Sequence, residues 1–152
     1  YKLMKRQYIE IAGLVSIIAS LVFVGAEIRQ NTIAIRGATQ QEISLQLSEM
    51  LTLVVENERL AYLMDEVLNG ITKAELSKVD FSTFRAFANI GFRRIENIYL
   101  QHQNGFISDD AFQRIGWDYY QSPLLREIWE DRKKGFNHDF VIFYEKMRDK
   151  DL

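Results

Sequence analysis

The fold of this chain is decided by the stretch Ile11-Ala-Gly-Leu-Val-Ser-Ile-Ile-Ala-Ser-Leu-Val-Phe-Val-Gly-Ala26. These sixteen residues carry no charge, they lie between Glu10 and Glu27, and nothing later in the sequence is comparably apolar. A helix of this length covers roughly 24 Å, whereas the hydrocarbon core of a bilayer is about 30 Å thick. Ile9 and Ile28 extend the apolar segment, and the arginines on either side can direct their charged ends to water. The segment therefore predicts a single transmembrane anchor.

Two other interpretations of this segment stay open. Hydrophobic stretches shorter than about 18 residues are often core helices, so the segment also fits a buried helix of a soluble bundle. The basic start at Lys2, Lys5 and Arg6, the apolar middle and the small residues at 24–26 also fit a cleavable signal peptide. The positive-inside comparison assigns no orientation, because those three basic residues oppose Arg29 and Arg36 after the segment.

Composition favours one domain in addition to the anchor. The 152 residues are 47% hydrophobic and 12% aromatic, which suits a packed core, and they include a single proline. Residues 1–29 carry four Lys/Arg against two Asp/Glu, whereas the remainder carries fifteen against nineteen. This mildly acidic remainder has no basic stripe, which argues against nucleic-acid binding. The absence of cysteine excludes disulfides and thiolate chemistry.

Helical periodicity predicts an all-α fold, with one long N-terminal helix that extends out of the bilayer and a compact bundle of about four to five shorter helices. No proline interrupts residues 8–56, so the first helix is expected to run from near Tyr8 to about Glu56. Later helices are expected at 58–68, 72–103, 108–120, 123–134 and from 138 onward. The predicted domains are an anchor at 1–29 and a helical domain at 30–152.

Four capping signals support these boundaries. Thr72-Lys-Ala-Glu75 is a capping box, and Ser108 is expected to cap the helix at 108–120. Pro123 suits the first position of a helix, and Asn137 suits the cap of the last one. Because the caps agree with the apolar periodicity, they strengthen the all-α prediction.

The apolar segment carries small residues on one face. Ala12, Ser16 and Ser20 are four residues apart, which places them above one another on a helix. Small residues let helix backbones approach closely in lipid, where no hydrophobic force acts between helices. This face is therefore a predicted site of packing between membrane helices.

The stretch from Gln30 to Val54 is unusually poor in charge for a solvated helix, since only three of its residues are charged. One side of it follows a 3-4 spacing, with Ile33, Gly37, Gln40, Ser44, Leu47, Leu51 and Val54. The pattern fits an amphipathic helix that folds against its own domain, and it equally fits an oligomer interface. We take Ile33 to Leu51 of this set as the predicted interface stripe.

No arrangement of residues points to catalysis. The sequence lacks a Gly-x-Ser-x-Gly elbow and a phosphate-binding glycine loop, and its two histidines, His102 and His138, do not form Glu-x-x-His pairs. Arg93 and Glu96 are three residues apart and are expected to form an ion pair on one helix face, while Glu96 with Asn97, Gln101 and His102 is an alternative polar pocket. We therefore predict a non-enzymatic protein with no metal site and no cofactor.

Four large aromatic residues form a candidate ligand pocket. They are Trp117, Tyr120, Trp129 and Phe143. Aromatic side chains at helical spacing also build ordinary cores, so the same residues fit either role.

The overall pattern resembles uncharacterised bacterial single-pass membrane proteins, in which an N-terminal hydrophobic helix precedes a C-terminal helical domain of unknown function. The likeness spans nearly the whole chain, although the basic start departs from the pattern. It is carried by Ser20-Leu-Val-Phe-Val-Gly-Ala-Glu-Ile-Arg-Gln-Asn-Thr32, Glu96-Asn-Ile-Tyr-Leu-Gln101, Gly105-Phe-Ile-Ser108, Trp117 and Trp129. The resemblance implies a location in the bacterial inner membrane and a shared helical fold, and it implies no activity.

The sequence thus predicts a non-catalytic, membrane-anchored assembly protein that acts through helix–helix contacts. Its expected partners are membrane lipid and either further copies of itself or subunits of a larger membrane complex. The alternative is a membrane-tethered domain that senses or binds a small ligand.

Overall fold

The chain is built from helices. The computed structural model describes the backbone of residues 2–150 and the side chains of residues 5–150. It is 84% helical and has no strand among the described residues, which confirms the all-α prediction. The α-helices are α1 (Lys2–Val55), α2 (Glu58–Leu68), α3 (Lys78–Gln103), α4 (Asp110–Gln113), α5 (Trp117–Tyr120), α6 (Pro123–Arg132) and α7 (His138–Arg148), with 3-10 turns at Lys73–Glu75 and Lys133–Gly135.

The chain divides into two compact units between Ala38 and Thr39, a point inside α1. In the first unit the apolar side chains are exposed, as Leu21 (66%) and Phe23 (64%) illustrate. None of the most apolar window of α1 is buried, whereas the core helix of a soluble protein is mostly buried. Among the described residues α1 is the one helix long and apolar enough to cross a membrane, and a signal sequence passes the same test.

The core of the second unit is an aromatic cluster from α3, α6 and α7. Trp129 and Tyr144 are fully buried, and their ring centroids lie 4.1 Å apart. Phe92 is also fully buried and meets both rings edge-on, at 5.1 Å from Trp129 and 5.7 Å from Tyr144. Edge-to-face and tilted contacts are the arrangements that aromatic quadrupoles favour. Burial of these rings therefore joins the three helices.

A charged contact joins the start of α2 to the start of α3. Arg59 donates two hydrogen bonds to the Asp80 carboxylate, from Nε at 2.8 Å and from Nη2 at 2.6 Å. Ser77, the N-cap of α3, also donates to Asp80 at 2.7 Å and accepts from the Asp80 N–H at 3.1 Å. The hydrogen bonds from Arg59 and then Ser77 lower the pKa of Asp80 to about 2.

This contact predicts a loss of stability in acid. The pKa of Asp80 is lower in the folded chain than its ordinary value of 3.8, so its contribution is complete above about pH 4 and is lost as the pH falls towards 2. Asp80→Asn should make the free energy of unfolding fall less steeply over that interval. Urea titrations at several pH values measure the slope, with Asp131→Asn on the exposed side of α6 as the control. Equal slopes for wild type and Asp80→Asn would contradict the assignment.

In the second unit, two of the predicted helix starts are wrong in detail. Glu75 accepts hydrogen bonds from the N–H and hydroxyl of Thr72, but this capping box begins a 3-10 turn. Helix α3 begins at Lys78, and Ser77 is its N-cap. The expected helix at 108–120 is two short helices, because Gly116 adopts φ 74° between α4 and α5. A left-handed backbone interrupts an α-helix, and glycine adopts it at little cost. The N-cap of α4 is Asp109, one residue after the predicted Ser108.

The last helix begins as predicted. The Asn137 side chain accepts from the N–H groups of Asp139 and Phe140 at 3.0 and 3.1 Å. The backbone N–H of Asn137 donates to Glu96 on α3 at 2.9 Å, and the other Glu96 oxygen accepts from Arg93 at 2.7 Å. The predicted Arg93–Glu96 ion pair is thus confirmed, and Glu96 also fixes the start of α7 against α3.

Gly91 marks a close approach between α3 and α5. A Cβ at this position would lie 2.9 Å from the Tyr120 hydroxyl, which belongs to a buried and rigid ring. Alanine normally stabilises a helix relative to glycine, but here we expect Gly91→Ala to lower the free energy of unfolding by about 1–3 kcal/mol. Urea denaturation measures the change, and Tyr120→Phe in the same background should relieve most of it. A stabilising Gly91→Ala would contradict this packing.

Candidate functional site

In the second unit, α1 contributes two different faces. Ile43, Met50 and Val54 are half-buried and pack against the aromatic core, so the prediction that this helix folds against its own domain is confirmed for that face. Val54, which the sequence placed with the exposed stripe, belongs to this packed face. Residues three, four or seven positions apart lie on the same side of a helix, so Ile43, Met50 and Val54 share one face.

The predicted interface stripe lies on the neighbouring, exposed face. In the second unit it comprises Gln40, Ser44, Leu47 and Leu51, all exposed, with Leu47 at 40% and Leu51 at 54%. The Ser44 hydroxyl donates to the Gln40 carbonyl at 3.0 Å, so its hydrogen-bonding capacity is met within the helix. This part of the stripe therefore presents apolar and uncharged surface to its surroundings.

The remaining members of the stripe belong to the first unit. Ile33 is 60% exposed, and Gly37 is exposed with nothing within 4 Å of the place where a Cβ would stand. The backbone of α1 is therefore accessible to another helix at Gly37.

The small-residue face of the apolar segment has its polar groups satisfied internally. The Ser16 hydroxyl donates to the Ala12 carbonyl at 2.8 Å, and the Ser20 hydroxyl donates to the Ser16 carbonyl at 2.9 Å. These bonds remove the cost of placing hydroxyl groups in hydrocarbon. A shallow depression runs along this part of the helix, between the two serines and Leu21. The face is thus compatible with close packing in lipid.

The four aromatic residues of the candidate pocket lie in or against the core. Trp117, Tyr120 and Trp129 are buried, whereas Phe143 is half-buried and contacts the rings of Tyr99 and Phe112 in the same core. The indole N–H groups are satisfied, since Trp117 donates to the Phe112 carbonyl at 2.8 Å and Trp129 donates to Glu145 at 3.0 Å. Tyr120 is the one of the four that borders the cavity described below.

The polar residues of α3 are distributed over separate contacts. Asn97 accepts from Gln101 at 3.4 Å and donates to Gln46 on α1 at the same distance. His102 instead contacts Asp109, with 2.6 Å between Nε2 and Oδ1. The four residues of the predicted polar pocket therefore do not converge on one site, because they take part in three separate sets of contacts. Within the described side chains, no group of three or more His, Cys, Asp or Glu residues is placed to hold a metal ion.

A cavity of about 190 Å³ lies in the second unit, between the packed part of α1, α2, α3 and α5. Most of its walls are apolar, and its polar groups come from Arg94, Asp118, Tyr119 and Tyr120. The Arg94 side chain is half-buried, and its Nε has no hydrogen-bond partner among the described residues. The buried hydroxyl of Tyr119 is likewise without a partner there. The cavity thus combines an apolar interior with unsatisfied hydrogen-bond donors.

Electrostatics sets Arg94 apart from the other arginines of α3. Burial lowers the pKa of its guanidinium, an effect that the interaction with Tyr120 partly offsets. Burial also raises the pKa of Tyr120 to about 12, so this hydroxyl stays neutral and keeps its proton. Arg93, by contrast, bonds to Glu96 and to the Gly135 carbonyl. The sequence analysis predicted an ion pair for Arg93 and no role for Arg94. Arg94 nevertheless follows Phe87 and Gly91 at helical spacing on the apolar side of α3.

The comparisons with known proteins give no match. No protein-family model, no curated protein and no solved structure matches this chain.

Proposed function

We propose that this chain is a non-catalytic, membrane-anchored assembly protein of the bacterial inner membrane. It would act as a homo-oligomeric scaffold or as an accessory subunit, through helix–helix contacts. The observation that carries the proposal is the complete exposure of the apolar segment at 11–26. The bacterial location is supported by the resemblance in sequence pattern described above.

A lipid environment accounts for this exposure. Single exposed apolar residues are normal on soluble proteins, but a contiguous apolar patch of more than a few hundred Å² indicates a membrane or a protein interface. Here the apolar residues surround the helix, including Val15, Ile18, Leu21 and Val22, each more than half exposed. A helix that is apolar on all sides and free of buried contacts matches a bilayer better than a one-sided protein groove.

Assembly is supported by the second exposed surface. Leu47 and Leu51 lie on a face of α1 that the second unit does not use for its own core. On the same helix, Leu45 (51%) and Leu53 (45%) are also exposed on other sides. Interfaces are depleted in charged residues at their centres, as this stretch is. A partner helix that covers these leucines would remove apolar surface from water.

Gly37 provides a direct test of the assembly surface. Gly37→Leu places a side chain in open space within the chain and favours the helix by about 0.5–1 kcal/mol, but it blocks close approach of a second backbone. We expect association to weaken by about tenfold or more, since a lost contact of 1.4 kcal/mol corresponds to tenfold. Sedimentation of the full chain in mild detergent measures the association.

The matched control is the neighbouring residue. Ala38→Leu adds a similar side chain at an exposed position about 100° further around the helix, away from the predicted stripe. It should leave association unchanged. Equal association of the two variants would remove Gly37 from the interface, and undiminished association of Gly37→Leu would argue against close helix packing at this point.

A further inference from the structure

The cavity beside Arg94 has the properties of a ligand site, and Leu47 and Leu51 of the predicted interface stripe form part of its rim. Its walls come from four helices of the second unit, α1, α2, α3 and α5, with Met50 and Leu51 on one side and Gly91 on another. Gly91 supplies no side chain, and its backbone forms the part of the wall next to the Tyr120 hydroxyl. Two further depressions beside α1 also border Arg94.

The unpaired guanidinium is the unusual group in this cavity. A charge that is partly removed from water is normally paired, because hydrogen bonds have to replace the hydration that it loses. Arg94 makes no hydrogen bond or ion pair among the described residues, and its Nε is sealed from solvent. Asp118 also borders the cavity, but its side chain is exposed to water. An anion inside the cavity would satisfy Arg94.

The shape of the guanidinium and the groups beside it indicate which chemical class of anion the cavity would bind. A guanidinium presents a planar fork of N–H groups that matches the two oxygens of a carboxylate. The neutral hydroxyl of Tyr120 and the unpartnered hydroxyl of Tyr119 add donors of the same kind. A multiply charged phosphate would need further cations, and the cavity walls are mostly apolar. A single carboxylate on an apolar body fits these walls better.

The volume of the cavity indicates how large the apolar part of this carboxylate can be. An engineered apolar cavity of about 150 Å³ accepts a benzene molecule. The cavity here measures about 190 Å³, which accommodates one ring with its carboxylate. We propose that the second unit binds a small monocarboxylate with an apolar body the size of one aromatic ring, its carboxylate on Arg94.

Benzoate and benzamide are matched probes of this site. They have nearly the same shape, but only benzoate carries the charge that Arg94 would pair with. Titration of each into the full chain in detergent micelles, followed by calorimetry, should show benzoate binding about tenfold to a hundredfold more tightly, the worth of a hydrogen bond to a charged group. Arg94→Met should abolish that preference, while Asp118→Asn should strengthen benzoate binding.

The control variant is Arg85→Met, which removes an equal charge from α3 at a side chain that stacks over Phe81, with 5.5 Å between Cζ and the ring centroid. It also corrects for partition of benzoate into the micelles. The proposal requires that Arg85→Met binds benzoate as wild type does and that Arg94→Met does not. Equal binding of benzoate and benzamide, unchanged binding by Arg94→Met, or no binding of benzoate at millimolar concentration would each overturn it.

Discussion

Trp129→Ala should remove most of the stability of the second unit. Trp129 is fully buried, and its ring lies within 4.1–6.0 Å of the rings of Phe92, Phe136, Phe140 and Tyr144. Truncation of a core aromatic residue to alanine costs about 3–5 kcal/mol, and small domains have only about 5–15 kcal/mol in total. The free energy of unfolding in urea, followed by circular dichroism, measures the loss.

Two controls separate packing from the hydrogen bond of the indole. Trp129→Phe keeps an aromatic ring but leaves Glu145 without its Trp129 donor, although Lys133 still bonds to the same oxygen at 3.1 Å. We expect it to cost less than half as much as Trp129→Ala. Tyr62→Ala removes an aromatic ring that is 49% exposed and should cost under about 1 kcal/mol. If Trp129→Ala cost no more than Tyr62→Ala, the aromatic core would not hold the bundle together.

Charges placed in the apolar segment should release the protein from the membrane. Ile18 and Val22 are exposed and lie near the centre of the segment. An arginine at the centre of a membrane helix costs about 2.5–3.5 kcal/mol, so Ile18→Arg/Val22→Arg should cost roughly 5–7 kcal/mol, or more than a thousandfold in partition. The fraction of protein that stays in the membrane pellet after a carbonate wash measures this effect.

The matched control adds the same charge elsewhere. Val79→Arg/Ile142→Arg changes two exposed apolar residues of the second unit, at 74% and 57% exposure, and should leave the protein in the pellet. The intact mass of the membrane-bound chain distinguishes an anchor from a signal peptide, since cleavage after Ala26 would remove the segment. Retention of Ile18→Arg/Val22→Arg in the pellet at the wild-type level would contradict insertion of this helix.

Local signals predicted most of the helix boundaries. The bounds of α2 at 58–68 and the end of α3 at Gln103 match the prediction. In the structure the Asn57 side chain caps α2, and α3 ends at Asn104-Gly105. The start of α6 at Pro123 follows from a residue that fixes φ at the first helical position. At Pro123 and Asn137 the local signal alone placed the helix start correctly.

The remaining differences have tertiary or competing causes. The sequence pattern of 108–120 is helical, but the backbone at Gly116 turns so that Trp117 and Tyr120 both enter the core. Helix α1 begins at Lys2 rather than near Tyr8, since nothing in the basic start opposes a helix. Periodicity left the four aromatic residues open to either a core or a pocket role, because that choice depends on packing that periodicity does not encode.

Arg94 illustrates what a single sequence leaves out. Its neighbour Arg93 has an acidic partner three residues away, which the helical period reveals, whereas the environment of Arg94 is created by α1 and α5. A charged residue at apolar spacing, after Phe87 and Gly91, is the signal that could have identified it. A charged residue on the apolar side of a helix, with no oppositely charged residue nearby in sequence, indicates a candidate binding group because burying an unpaired charge costs free energy.

We propose that the chain is anchored in a membrane and works as part of an assembly. The native mass and subunit composition of the complex, after gentle solubilisation from the producing membranes, test both parts of this proposal together. We expect either a multiple of 17.9 kDa with no other chain, which means a homo-oligomeric scaffold, or stoichiometric co-elution with other chains, which means an accessory subunit. A single 17.9 kDa chain per micelle at every protein concentration would contradict the account.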